Sequence, residues 1–335
     1  MILRTDSVTG NNLMTKACDL LVKLKGPGAW SRGLALVAFI FVASLRLDAV
    51  AQQQFASPDE AVNALVTAAK AGDTNTLHAI FGPAAHDLVS PDIVQATKES
   101  GIFLRCLTEK AVHVRASDTN AVLELGADGW PFPIPLVKQP DGKWLFDTLA
   151  GKEEVLNRRI GRNELGAIRV CHAYVDAQRE YASQPRTSYG VMEYAQHLRS
   201  TPGKHDGLYW PVEEDGGLSP LGPLIAQAHG EGYRQQTKIM TDEQSPYRGY
   251  YFKILTRQGK HAPAGKYNYV INDHMIAGFA FVAWPAEWGN SGVMTFIVNQ
   301  QGKVYQKNLG TKTSEIAPEM TTYDPDASWT PVNEN

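Results

Sequence analysis

Histidines and carboxylates concentrate in one stretch of the sequence, between residues 193 and 206. Glu193 and His197 lie four residues apart, and His205 and Asp206 follow. A short helix predicted over 191–198 would place Glu193 and His197 on one face. A carboxylate and an imidazole on one face can share a proton or bind a metal ion. These four residues carry one functional hypothesis, a periplasmic hydrolase or metal-dependent enzyme.

The same pattern also suits a solvated ion pair without chemistry. A metal site needs a third ligand, which this stretch does not offer. The chain contains no G-x-S-x-G elbow, P-loop, G-x-G-x-x-G, H-E-x-x-H or C-x-x-C motif. We therefore expect neither a metal nor a cofactor, and we assign no catalytic residue.

Aromatic residues beside this stretch suggest recognition instead of catalysis. Tyr209 and Trp210 follow Asp206 closely. Four more aromatic residues lie further along the chain: Tyr250, Tyr251, Trp284 and Trp288. Such rings could form a platform for a glycan or a peptide. Alternation along a sheet predicts that at least half of the six belong to the core.

Three arginines form a second charged group that could bind a ligand. Arg158, Arg159 and Arg162 lie among the acidic residues Glu153, Glu154 and Glu164. Three guanidinium groups could clamp an anion. A network of ion pairs at a domain junction also explains the pattern, and we favour it because most charge runs are solvated or paired. Both interpretations stay open.

The first 51 residues have the composition of a secretory signal peptide. Basic residues precede the apolar run 34–45, and Ala49-Val50-Ala51 forms a small-x-small cleavage site. The run is shorter than the roughly 20 residues of a transmembrane helix. We predict cleavage after Ala51 and export to the periplasm or the medium. An uncleaved signal anchor is the alternative.

The charge of the chain argues against two classes of partner. The net charge is −3 over 335 residues, and removal of residues 1–51 leaves 26 basic and 32 acidic residues. A nucleic-acid-binding domain carries a basic excess, and anionic membranes attract polybasic segments. We therefore expect no nucleic-acid partner, and no membrane partner after signal removal.

Two α+β domains are predicted after the signal peptide. Residues 52–160 begin with two helices, the first capped at Ser57, and continue with hairpins at 111–125 and 132–146. This order resembles the cone fold of the NTF2-like superfamily. Residues 161–335 begin with a helix from Asn163 to about Ala182. A helix at 221–229 and an antiparallel meander follow.

The second domain resembles the soluble headgroup of type II secretion pseudopilins and type IV pilins. The matching features, in chain order, are Ala177-Gln178, Tyr181, Tyr194-Ala195, Gly249-Tyr250, Ala283-Trp284-Pro285 and Gly292–Phe296. A pilin helix continues from an apolar membrane segment, whereas this helix follows a soluble domain. The resemblance therefore implies a fold but no polymerisation.

Two cysteines remain once Cys18 leaves with the signal peptide. Cys106 and Cys171 would meet an oxidising compartment, where pairing is permitted. A bridge needs Cα atoms within about 7 Å, which the sequence does not establish. A disulfide and two free thiols both remain open.

Seven motifs spread over the chain resemble one family of exported bacterial proteins, the domain of unknown function 2950. The motifs are Trp130–Leu136 (WPFPIPL), Asn157–Glu164 (NRRIGRNE), Tyr174–Gln178 (YVDAQ), Gly203–Pro211 (GKHDGLYWP), Ser219–Leu224 (SPLGPL), Val282–Pro285 (VAWP) and Tyr323–Asp326 (YDPD). The resemblance implies export and a two-part layout, and it implies no reaction. The leading functional hypothesis is thus a non-catalytic envelope protein that binds another envelope protein or a cell-wall component.

Overall fold

The computed structural model describes residues 52–109, 112–126, 129–186, 190–211, 217–233 and 245–333. The predicted signal peptide lies outside the described residues. These residues belong to one compact unit that combines helices with mainly antiparallel sheets, which confirms the α+β class. Within the described residues, no helix has both the length and the apolar character that a membrane crossing requires.

The described residues include two α-helices, at 93–109 and 313–319, that the sequence analysis does not predict. The α-helices of the described residues are α1 (Pro58–Ala71), α2 (Thr74–Phe81), α3 (Ile93–Glu109), α4 (Thr148–Tyr181), α5 (Gly222–Gly230) and α6 (Thr313–Glu319). The strands are β1 (Val112–Ala116), β2 (Asn120–Leu125), β3 (Trp130–Pro131), β4 (Leu136–Lys138), β5 (Trp144–Phe146), β6 (His197–Arg199), β7 (Gly207–Tyr209), β8 (Tyr250–Leu255), β9 (Arg257–Gln258), β10 (Tyr267–Asn268), β11 (Val270–Ile271), β12 (His274–Met275), β13 (Ala280–Pro285), β14 (Met294–Asn299), β15 (Tyr305–Asn308), β16 (Thr322–Tyr323) and β17 (Thr330–Pro331).

The first hydrophobic cluster joins α1 and α2 to a five-stranded sheet. Its strand order is β1-β2-β4-β5, and β3 pairs with β2. Ser57 caps α1 as predicted, because its hydroxyl accepts from the Glu60 N–H. The Glu60 carboxylate accepts from the N–H of Ala56, one residue before the cap. The first predicted hairpin is confirmed as β1 and β2, which pair in antiparallel register.

The second cluster packs α4 on an antiparallel sheet of order β17-β15-β14-β13-β8. Tyr174 of α4 stacks on Phe281 of β13 with ring centroids 4.0 Å apart. All six residues of β13 are buried, so both faces of this central strand are covered. The C-terminal part of the chain therefore has the predicted plan, in which a long helix packs on an antiparallel meander.

Helix α4 begins sixteen residues earlier than predicted. Asp147, not Asn163, is its N-cap, and the Asp147 carboxylate accepts from the Ala150 N–H at 3.0 Å. The first half of α4 buries polar residues, including Arg159 and Asn163. An apolar stripe is therefore missing there, and periodicity alone could not find the helix. The predicted domain boundary at residue 160 falls inside α4, and the division into two domains stays a prediction.

The helix predicted over 191–198 is wrong. Residues 190–196 are irregular and lead into strand β6. The side chain of Gln178 forms two 2.8 Å hydrogen bonds with Ala195, one to its N–H and one to its carbonyl. The Tyr194 N–H donates to Met275. These distant partners take the backbone groups that a helix would use, so Glu193 and His197 do not form a helical i, i+4 pair.

A buried carboxylate connects the two clusters. The Asp92 side chain caps α3, accepting from the N–H groups of Val94 and Gln95 at 3.0 and 3.1 Å. Its other oxygen accepts from the Tyr233 hydroxyl at 2.7 Å and from the Gly249 N–H at 3.2 Å. One side chain thus connects the start of α3 to Tyr233 and to Gly249, the residue that precedes β8.

The two cysteines are unpaired. Cys171 is fully buried in the second cluster, whereas Cys106 packs at the edge of the first cluster. Burial raises the pKa of the Cys171 thiol well above its usual value. The disulfide alternative is therefore wrong, since the two thiols belong to different cores.

Candidate functional site

A cavity of about 320 Å³ lies between the end of β7 and helix α5. Its walls are mainly aromatic and aliphatic: Tyr209, Trp210, Leu218, Pro223, Ile225 and Ala226. Ser219 and His229 supply polar groups. Small-molecule sites have volumes of roughly 300–1,000 Å³ and are mostly apolar with few polar groups. The cavity lies at the lower end of that size range and matches its character.

Short-range contacts hold the walls of this cavity in place. Strands β6 and β7 pair in parallel, and a Cβ atom at Gly207 would lie 2.5 Å from the carbonyl carbon of Arg199. Glycine is therefore required for this close approach. After β7, the Leu221 N–H donates to Leu208 and the Ser219 hydroxyl donates to Trp210. These bonds fold residues 217–221 back against β7 and set the position of α5.

Trp210 is the centre of a stack of planar groups. It is 4% exposed, and the ring of His205 lies over it with centroids 4.3 Å apart. The guanidinium of Arg186 lies 5.3 Å from the same ring and 5.6 Å from the ring of Tyr181. The Tyr181 hydroxyl donates to the carbonyl of His205 at 2.7 Å. The stack therefore joins the end of α4 to the wall of the cavity.

Two buried donors in this stack lack an acceptor. Nε1 of Trp210 and Nε of Arg186 make no hydrogen bond to any residue in the described part of the chain. Buried donors are almost always satisfied in native proteins, so each unsatisfied one calls for an explanation. Both lie around one indole ring, next to an apolar cavity.

Glu193 and Asp206 are each held by a different neighbour. Glu193 is 8% exposed and its carboxylate lies 2.9 Å from Nδ1 of His274. Asp206 accepts from the N–H and the hydroxyl of Thr201 at 2.7 and 2.8 Å. Burial raises the pKa of Asp206, but the bonds from Thr201 outweigh it, so this pKa lies below its ordinary value.

Three of the four acid–base candidates, Glu193, His205 and Asp206, interact with Tyr181. Burial and then the charge of Glu193 raise the pKa of Tyr181 to about 12, and Asp206 adds to this rise. His197 is exposed on β6, and His205 stacks on Trp210. None of the four residues lines the cavity. Their catalytic role stays a prediction, and in the described residues no three His, Cys, Asp or Glu side chains are placed to bind a metal ion.

The three arginines of α4 point to three separate sets of partners. Arg158 pairs with Glu154 at 2.6 Å and covers the ring of Trp130, and Arg162 pairs with Glu99. Arg159 is fully buried, and it donates to Asn290 at 2.6 Å and to the carbonyls of Leu88 and Val89. Burial lowers the pKa of Arg159. Each guanidinium has partners within the protein, and a role in binding an anion stays a prediction.

The six aromatic residues of the predicted platform divide evenly. Trp210, Trp284 and Tyr250 are buried, as the expectation of at least half requires. Trp288 is partly exposed and donates to Asn308. Only Tyr209 and Trp210 line the cavity. The structure therefore places the two aromatic ligand-binding candidates together and separates them from the other four.

Sequence reasoning missed Arg186 and the α5 residues of the cavity. Arg186 reaches Trp210 across 24 positions of the chain, and Ile225 and Ala226 reach it by the fold-back after β7. The motif Ser219–Leu224 was noted only as part of a family resemblance. The closeness of this motif to Trp210 in the sequence was the available signal for a shared site. That signal can be interpreted only once the turn after β7 is known.

Comparisons with known proteins identify the family of this chain but assign it no activity. No curated protein and no solved structure matches the chain. The NTF2-like and pilin-headgroup resemblances of the two parts therefore stay predictions. The model of a family described as a protein of unknown function, DUF2950, matches residues 52–332. Because this match covers most of the sequence, the chain belongs to the DUF2950 family.

Proposed function

We propose that this chain is a non-catalytic binding protein of the cell envelope. Its partner is an envelope protein or a cell-wall component, and the cavity at Tyr209 and Trp210 receives part of that partner. The observation that carries the proposal is the cavity itself, with its aromatic and aliphatic walls and its volume of about 320 Å³. Apolar pockets with a few polar groups are the usual form of a binding site.

The arrangement of the titratable groups favours binding over catalysis. A general acid and a general base must reach the same substrate. Glu193 is engaged by His274 and Asp206 by Thr201, and none of the four acid–base candidates faces the cavity. The depressed pKa of Asp206 keeps it ionised at neutral pH, which makes it a poor proton donor.

Export is a separate part of the proposal. It rests on the basic residues, the apolar run 34–45 and the Ala49-Val50-Ala51 site of the sequence. Amino-terminal sequencing of the protein from its native host tests it. A mature chain that starts at Gln52 supports export with cleavage, and a chain that retains residues 34–45 contradicts cleavage and supports the uncleaved signal anchor. The NTF2-like cone and the pilin-like headgroup are the fold relatives that we propose for the two parts.

Filling the cavity tests the binding role. Ala226 lies on the exposed side of α5 and lines the cavity, so Ala226→Trp would fill it at little cost to folding. Gln227→Trp places the same side chain on the neighbouring exposed position, outside the lining residues. Tagged proteins would be incubated with purified cell-wall sacculi and with envelope extract.

We expect wild type and Gln227→Trp to retain the same specific partner and Ala226→Trp to lose it. Circular dichroism and thermal unfolding confirm that both variants are folded. Equal retention by the two variants would contradict a role for the cavity, and recovery of no specific partner by wild type would contradict the binding function.

A further inference from the structure

Arg186 is a cation without a matching anion in the described part of the chain. Its guanidinium is held by the rings of Tyr181 and Trp210, and it forms no ion pair or hydrogen bond with a described residue. This differs from Arg158, Arg162 and Arg248, each of which pairs with a glutamate. Aromatic faces hold a guanidinium flat and leave its edge to meet a planar acceptor.

The carboxylates near this guanidinium are already engaged. Glu193 and Asp206 act electrostatically on Tyr181, the ring that Arg186 covers. Glu193 is paired with His274, and Asp206 accepts two hydrogen bonds from Thr201. The negative charge of these two groups disfavours a multiply charged ligand such as a phosphate dianion. A single carboxylate suits the site better, since one guanidinium binds it through two parallel hydrogen bonds.

Trp210 brings this cation to the cavity. The guanidinium of Arg186 lies 5.3 Å from the indole ring, and the same residue lines the cavity. The cavity and the guanidinium therefore both border one indole ring. The last residue of a peptide likewise carries its carboxylate and its side chain on one Cα atom. Nε1 of Trp210 is a second donor at the same place that has no acceptor among the described residues.

We propose that the cavity and Arg186 together bind the C-terminal end of a peptide chain, with an apolar last side chain in the cavity and the terminal carboxylate on Arg186. The proposal rests on the proposed binding function and names the chemistry of its partner.

Matched peptides test the carboxylate directly. Titration calorimetry would compare acetylated Ala-Ala-Leu carrying a free terminal carboxylate with the same peptide as its carboxamide. We expect the full mature chain to bind the free acid about tenfold more tightly, because the charged acceptor is lost in the amide. Arg186→Gln should lower the affinity for the acid to that for the amide and leave the affinity for the amide unchanged.

Further variants separate this inference from the binding function. Arg186→Lys keeps the charge without the planar fork and should recover part of the difference. Ala226→Trp should abolish binding of both peptides, and Gln227→Trp should change neither. Unchanged binding of the amide by Arg186→Gln shows that the variant is folded.

Several results would overturn the inference. Equal affinity for acid and amide, with loss of both in Ala226→Trp, would leave the cavity as a binding site and remove the role of Arg186. Binding of octanoate but of neither peptide would replace the peptide by a fatty acid. Absence of any peptide binding at millimolar concentration would also contradict it. The proposed binding function would still be tested separately, by the retention of an envelope partner in Ala226→Trp and Gln227→Trp.

Discussion

Trp210 and Asp206 illustrate how the same short stretch contains both core and site residues. Trp210 is almost fully buried yet forms part of a cavity wall, and Tyr209 beside it remains partly exposed. Asp206, four residues earlier, has a local structural task, because it closes the turn after β6 through Thr201. The sequence placed all three side by side without separating these roles.

The variant Asp206→Asn tests whether the Asp206 carboxylate stabilises the fold, through the pH dependence of the free energy of unfolding. The pKa of Asp206 is depressed in the folded state, so its charge stabilises the fold above the unfolded pKa, and this contribution is lost as pH falls through the folded value. We expect Asp206→Asn to be less stable than wild type at neutral pH. The difference should be smaller at about pH 3, below the ordinary aspartate pKa of about 3.9, because the stabilising charge is lost as the pH falls towards the folded value.

Urea unfolding of both proteins at the two pH values measures this. Asp118→Asn, on an exposed turn, is the control and should show no such pH-dependent difference. A deficit of Asp206→Asn that persists unchanged in acid would contradict the assignment.

At the scale of elements, helix α4 contains two glycines that differ in the space around them. A Cβ atom at Gly151 would lie 2.5 Å from Cγ1 of Ile134, whereas a Cβ atom at Gly161 would meet nothing within 4 Å. Both positions are helical, so alanine is conformationally favoured at each. Only packing against the first cluster distinguishes them.

Alanine at these two positions should have opposite effects on stability. Gly161→Ala should raise the free energy of unfolding by about 0.5–1 kcal/mol, because alanine loses less conformational freedom than glycine. Gly151→Ala should lower it by about 1–3 kcal/mol through overpacking against Ile134. Chemical denaturation measures both, and equal changes in the two variants would show that α4 does not pack on Ile134 as described.

Elements defined by local signals were predictable, and those defined by distant partners were not. The cap of α1 at Ser57 and the β1–β2 hairpin depend on neighbouring residues, and both are confirmed. The start of α4 was missed because its first half buries Arg159 and Asn163 in place of an apolar stripe. The helix at 191–198 was wrong because Gln178 captures the backbone of Ala195. Of the site, the sequence supplied Tyr209, Trp210 and the helix at 221–229. The fold was needed to bring Arg186 and this helix to Trp210.

At the scale of the molecule, two hydrophobic clusters are joined by polar contacts. Asp92 connects α3 to Tyr233 and Gly249, and Arg159 connects α4 to Asn290 and to the carbonyls of Leu88 and Val89. Buried hydrogen bonds of this kind are specific in geometry and costly to leave incomplete. The position of the second cluster against α3 therefore depends on a few side chains.

Removal of the Asp92 carboxylate should weaken this junction. Asp92→Ala leaves two buried and two partly buried donors without their acceptor and should lower the free energy of unfolding by about 2–4 kcal/mol. Asp118→Ala, at an exposed turn, should change it by less than about 0.5 kcal/mol. Equal stability of the two variants in urea would contradict a junction role for Asp92.

The most direct test of the binding site is photo-crosslinking in the native host. Leu218 is 68% exposed at the rim of the cavity, and Leu149 is 73% exposed on α4, outside the cavity lining. A photo-reactive phenylalanine analogue at each position would report which surface meets a partner. We predict a discrete adduct from position 218 that disappears when Ala226→Trp is added, and no such adduct from position 149. An adduct at 218 that survives the filled cavity, or the same pattern from both positions, would contradict the cavity as the partner's binding site.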